Sequence, residues 1–312
     1  MALVFPLLLI CAVVGLAWGL AKPHRVRVDA DDAQEVLDVE RGARRLRWAG
    51  LVVGLALAGL LLVLGDRLGG WAHLGRGQML APAVLAMCIL VTTAVGELSV
   101  QPQAGRLRSA SSRPRRVVDL VPRGLARLGV GSVLVAASVL AAGVVVGDPD
   151  DMGRAGRALT TVCEAGPDGV VASSTRGPWP GSFYGVPLLA ILGMGLVAAL
   201  GALLVIRARP GFGAGARDAD SVLRRRSARN VVLAVVILAL GPLGPVLALM
   251  AMPLLGGDCG PSWYPVVGVL ATVGSLASFT IAAASLGRLL GTAQLLVSPE
   301  ESRGAERKAG LR

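Results

Sequence analysis

The sequence predicts an all-α, polytopic membrane protein: a bundle of seven transmembrane helices with the N-terminus out and the C-terminus in. Three observations predict it. Of 312 residues, 54% are hydrophobic and 16% charged, against roughly a quarter charged in an ordinary soluble domain. The Lys, Arg, Asp and Glu residues all lie outside seven apolar runs, at about 2–21, 49–65, 80–96, 130–147, 185–206, 231–255 and 266–286. Each run is near the ~20 residues that cross a ~30 Å hydrocarbon core. Finally, 26 Lys and Arg fall in the four segments 22–48, 97–129, 207–230 and 287–312, and five in the alternate connections. Positive charge collects on the inner face of a membrane, which sets the orientation.

The net charge of +11 is accounted for by that placement, so arginines beside anionic lipid are preferred to a nucleic-acid role and no nucleic acid is expected as a partner. The aromatic residues agree. Trp18 and Trp48 stand at inner boundaries; Trp71, Trp179, Trp263, Tyr184 and Tyr264 stand at outer ones, as an interfacial belt requires. Only Lys22 and Lys308 represent lysine and only Asn230 asparagine, beside abundant Ala, Gly, Arg and Pro. That usage resembles a high-GC bacterium and points to a bacterial plasma membrane.

The first run is expected to be an uncleaved span: it lacks a basic leader, and Lys22, Arg25 and Arg27 follow it. Cys11 is not read as a lipidation site, since Ile10 precedes it. In 28–47, acids lead and arginines follow, which suits a helix dipole and a short surface helix before the second span. Its carboxylates Asp29, Asp31, Asp32, Glu35 and Asp38 lack calcium-loop spacing, so no metal site is expected. Gly50, Gly54 and Ala58 form a small-residue ridge in the second span, fit for a contact within the chain or between copies. In the third, Thr92 and Thr93 can bond back to the backbone. Glu97 lies at the inner boundary, where a carboxylate can reach water. Residues 101–116 and 298–312 read as flexible inner segments.

The outer loop 148–183 is long for a connection and contains Cys163. Cys163 and Cys259 are the two cysteines outside the spans on the outer side, so they are expected to form a disulfide. It would close a ring of 97 residues, for which the chain-entropy relation gives at most roughly 4 to 5 kcal/mol. Before the sixth span, Asp220 or Ser221 is a reasonable helix cap, and Ser227 after three arginines is read as part of the helix rather than a phosphorylation site. The sixth span itself is expected to break at Gly241, Pro242, Gly244 and Pro245, a kink or possible site. The seventh carries Gly274, Ser278 and Ala282 on one small face, with Thr272, Ser275 and Ser285 nearby.

Chemistry is absent from the pattern. His24 and His73 are the only histidines and fall on opposite sides, so neither a His-based zinc site nor a His-dependent triad is available. No HExxH, GxSxG, GxxxxGK[ST] or GxGxxG occurs. The seven-span, N-out topology is similar to that of rhodopsin-like proteins, but no lysine in the seventh span can form a retinal Schiff base. No catalytic residue, cofactor or metal is therefore assigned. The expected function is non-enzymatic: a sensor, a scaffold or a membrane subunit of a complex, with the lipid bilayer and a membrane or cytoplasmic protein as partners. The alternative is a permease or exporter of an uncharged or lipid-like substrate, using the broken sixth span.

Overall fold

A computed structural model describes residues 4–21, 24–28, 30–65, 67, 74–98, 120–163, 173–208, 217–256, 260–291 and 293–297, with backbone alone for 4–9, 24–28, 30–40, 217–220 and 293–297. Seven helices account for most of it: α1 (Val4–Ala21), α2 (Ala30–Leu64), α3 (Arg76–Leu98), α4 (Arg123–Val146), α5 (Ser182–Ala208), α6 (Arg217–Leu255) and α7 (Tyr264–Leu290). Four short strands accompany them: β1 (His24–Val28), β2 (Leu159–Val162), β3 (Ser173–Arg176) and β4 (Ala293–Val297). Among the described residues, six helices, α2 to α7, are long and apolar enough to cross a membrane. Their outward residues are apolar too, with Val53, Val63, Val145, Val197 and Val266 all more than half exposed. That is a surface for hydrocarbon, not for water.

α2, α3, α4 and α6 begin before their apolar runs, while α2, α4 and α6 stop within a residue of the run ends, at Leu64, Val146 and Leu255. The surface helix expected over 28–47 is not separate from the second span: α2 runs unbroken through both for 35 residues. Likewise α6 starts at Arg217, so Asp220 and Ser221 are the fourth and fifth residues of the helix and not at its N-cap position.

At the centre stands α6, 78% of whose membrane-length window is buried, against 22% for α2 and 28% for α4, α5 and α7. It packs against α3, α4, α5 and α7, while α2 lies on α3 and α1 on α7. Ile89, Leu90, Leu233, Val236, Leu238 and Leu243 form the main core, each no more than 2% exposed.

The expected break in α6 does not interrupt it. The helix continues through Gly241 to Pro245 and past Pro253 to Leu255. A proline inside a helix removes one backbone bond and crowds the carbonyl four residues back. In hydrocarbon no water satisfies a freed backbone group, so helices with prolines persist when neighbours repair the loss. The carbonyls that Pro242 and Pro245 leave without their helical donor are those of Leu238 and Gly241; Ser275 of α7 donates from Oγ to the neighbouring Gly244 carbonyl at 2.8 Å and so ties α7 to this turn. The Phe279 ring lies against Gly244 so closely that a Cβ there would meet it at 2.5 Å. Gly241, four residues before Pro245, has open space where a Cβ would stand.

Glycine also sets the peripheral contacts. The ridge of Gly50 and Gly54 packs on α3 beside Thr92, Cys88 and Leu85, a contact within the chain. Thr92 Oγ1 bonds back to the Cys88 carbonyl at 2.8 Å, as expected of it. Gly15 and Gly19 of α1 meet the Thr280 and Ala284 carbonyls of α7, and Gly287 returns the contact against Leu16. Beyond these helices β1 and β4 pair in parallel, His24 with Ala293 through Val28 with Val297. The sequence pattern carries no signal of that pairing.

Candidate functional site

At the end of the bundle where α4 passes to α5, α4 stops at Gly147, where Gly147, Gly156 and Gly181 bring three backbones together, a Cβ on Gly147 coming within 3.1 Å of the other two Cα atoms. Asp148 then bridges to Ala158, and its Oδ2 accepts from the Thr160 amide at 3.0 Å. β2 and β3 pair antiparallel from Leu159–Arg176 to Val162–Ser173. The Arg176 guanidinium donates to the Gly256 carbonyl, tying the hairpin to the end of α6.

Asp150 organises the turn before the hairpin. Its Oδ1 accepts from the Met152 and Arg154 amides at 3.1 and 2.9 Å. Its Oδ2 accepts from Arg154 Nε at 2.8 Å and Arg157 Nη1 at 3.0 Å. Desolvation alone would raise the Asp150 pKa. The bonds from the Arg154 backbone and side chain and the Met152 amide, with the Arg154 charge, outweigh it and hold the carboxyl below its usual range.

Arg157 reaches on, from Nη2 to the Tyr184 hydroxyl at 3.3 Å, and that hydroxyl donates to the Leu74 carbonyl at 2.9 Å. The Phe183 ring has Arg76 and Arg157 at 4.6 and 5.2 Å from its centroid. Trp179 is 5% exposed and donates from Nε1 to the Gly143 carbonyl at 3.0 Å. The described residues between α4 and α5 are thus seated on the helix ends by side-chain bonds.

Beneath them lies a cavity of about 1120 Å³. Gln78 and Met79 of α3, Asp150, Arg154 and Arg157 of the loop, and Pro245 and Leu249 of α6 line it. Of the break residues, only Pro245 reaches this wall; Pro242 and Gly244 are buried in the bundle. Ser275 and Ser278 are buried as well; Ser275 bonds to α6, while Thr272, Thr280 and Ser285 bond back to carbonyls of α7 itself, and none of them lines the cavity.

A second polar cluster lies at the opposite end. Glu97 is 6% exposed, so the sequence's expectation of a carboxylate reaching water is corrected. Its Oε2 accepts from Ser227 Oγ at 2.5 Å and its Oε1 from Asn230 Nδ2 at 3.0 Å, both on α6. Arg47 of α2 stands 3.8 Å from Oε1 and donates through Nη1 to the Leu289 carbonyl at 3.0 Å, at the end of α7. Arg224 does the same for α5, reaching the Ile206 carbonyl at 3.0 Å. Helix C-termini leave their last carbonyls without partners, and these arginines supply donors and a favourable charge. Ser227 is buried in this cluster, so it offers no modification site.

Sequence reasoning missed both clusters. The Glu97 pairs span 130 and 133 positions, a separation at which pattern carries no information. Only the i, i+4 spacing of Asp150 and Arg154 was a readable signal. Cys11 and Cys88 are free thiols, and Cys163 is not among them; Cys259 lies outside the described residues, as do the segments 101–116 and 298–312. Among the described residues no group of His, Cys, Asp and Glu gathers as a metal site would need. No protein-family model matches the chain, and no characterised protein or solved structure matches it either.

Proposed function

We propose that this chain is a non-enzymatic, multi-pass protein of a bacterial plasma membrane, a sensor, scaffold or membrane subunit that engages a ligand or protein partner at its outer end. The observation that carries this reading is the cavity of about 1120 Å³ beneath the outer loop. It combines charged groups at the loop with an apolar floor at Pro245 and Leu249, as binding sites commonly do. Below that floor Leu243 and Val246 are 2% and 0% exposed, which favours a recess over a passage.

The seven-span, N-out arrangement belongs to this proposal. α1 runs alongside α7 in the same direction, Gly15 beside Thr280 and Gly19 beside Ala284. Arg288 at the end of α7 lies 4.6 Å over the ring of Trp18 near the end of α1. Both helices therefore finish at one level, that of the arginine-rich segments. The Cys163–Cys259 disulfide belongs to it too. Thr161 lies 3.6 Å from the Cβ position of Gly260, which brings the chain neighbouring each cysteine together. Gel mobility of a Cys163→Ser variant without reductant tests the bond: it should migrate more slowly or more diffusely than the parent, and identical migration would sink it.

The second reading, a permease for an uncharged or lipid-like substrate, is favoured by Pro245 lining the cavity. Cysteine accessibility separates the two. With a membrane-impermeant maleimide, Leu249→Cys should label from outside only, and Leu238→Cys from neither side. Labelling of Leu238→Cys from the inside would favour the permease. Failure of Leu249→Cys to label from outside would overturn the recess.

A further inference from the structure

We propose that the groove between α4, α5 and α6 binds one acyl chain of an anionic phospholipid, whose headgroup sits at the arginine-bearing end of these helices. This rests on the bilayer-spanning reading and not on the outer cavity. The groove holds about 390 Å³ and is lined only by Val, Leu, Ala and Gly. Gly129 and Val133 form its α4 wall, Leu196 and Leu203 its α5 wall, and Val232 and Val235 its floor on α6. α4 leans closely on α6 here, a Cβ at Gly129 coming 2.9 Å from Val232 Cγ1.

Three observations name the occupant. The lining offers no polar group to hold water, so the groove excludes it. Along α4 the lining runs from Ala126 to Leu134, with Val121 just before the helix, and at 1.5 Å per residue the helical part is about 12 Å. That is most of one leaflet of a ~30 Å core, the reach of a single chain rather than of a spanning helix. At the Val121 end stand Arg123 and Arg127 on the first turns of α4 and Arg207 in the last turn of α5, all exposed. Basic residues at such a level attract anionic headgroups, so the charge complements the lipid at the end where the groove begins.

The test uses the full chain reconstituted in bilayers of equal phosphatidylcholine and phosphatidylglycerol, then extracted in mild detergent, with retained lipid counted by native mass spectrometry. Phosphatidylglycerol should be retained over phosphatidylcholine. The triple variant Arg123→Gln, Arg127→Gln, Arg207→Gln should lower that preference at least about ten-fold, at roughly five-fold per arginine for full engagement. Val133→Trp, which fills the groove, should release the retained lipid whatever its headgroup. Equal retention of both lipids by the parent, or an unchanged preference in the triple variant, overturns the proposal. So does a change of oligomeric mass in Val133→Trp with lipid retention intact, which would put a second protein segment in the groove. Should Val133→Trp fail to fold, the triple variant decides, because it alters exposed side chains alone. A parent chain that did not enter the bilayers would remove the spanning reading and this proposal together.

Discussion

The two ends of the molecule use the same chemistry in opposite settings. At one, Arg47 and Glu97 are 1% and 6% exposed, enclosed with Ser227 and Asn230 among four helices. At the other, Arg154 and Arg157 hold Asp150 at 2.8 and 3.0 Å beside an open cavity. The first pair has lost its water and must satisfy its charges internally; the second shares them with solvent. A guanidinium and a carboxylate at one end therefore tie helices together, while at the other they shape a surface that a ligand can meet.

Removing one partner tests that contrast most strongly at the closed end. Glu97→Ala leaves Arg47 buried without its carboxylate, a change that typically costs about 3 to 5 kcal/mol. Thermal or denaturant unfolding in mild detergent should show it as the largest loss of any single substitution at either end. If Glu97→Ala unfolded no earlier than Asp150→Asn, the distinction between the ends would fail. Ser227→Ala removes one hydrogen bond to that charge and should cost about 1.5 to 3 kcal/mol by the same measurement.

Next come the glycine contacts. Gly19→Leu sets a side chain against the Ala284 carbonyl, which even a Cβ would overlap. Overpacking of this kind costs about 1 to 3 kcal/mol, and protease sensitivity between α1 and α2 should rise. Gly241→Ala, with open space at the same position, should be neutral in unfolding and serves as its control. Ser275→Ala loses the bond to the Gly244 carbonyl and should cost about 0.6 kcal/mol, the average for such bonds between membrane helices.

The smallest effect belongs to the open end. Because the folded-state pKa of Asp150 is depressed, its contribution is present above the unfolded carboxylate value and is lost as pH falls through the lowered folded value. Limited proteolysis of the loop between α4 and α5 should thus be steady near neutrality and increase only in that acidic window. Asp150→Asn should abolish the acid step without altering the neutral baseline of the helices.

Sequence and structure divide along physical lines. Spans were legible because burial in hydrocarbon demands long uncharged runs, and residues 80–96 or 266–286 meet that demand without reference to anything else. Their ends were less legible, since Arg217 to Asn230 continues α6 as helix although its charges end the apolar run. At Gly241 to Pro245 local propensity reads two prolines and two glycines as a break or kink, while the residues that pack on that turn, Ser275 and Phe279, sit about thirty positions away, beyond the reach of a local pattern.

By itself, then, the sequence determined an apolar helical bundle, the small-residue contact faces and the segregation of charge, because each depends on composition over a few turns. Only the tertiary structure decided that α6 is the central helix, that Glu97 is enclosed by Arg47, Ser227 and Asn230, and that Asp150 and Pro245 share one cavity. Those are meetings of residues up to 133 positions apart, set by how the helices pack and not by anything local to either partner.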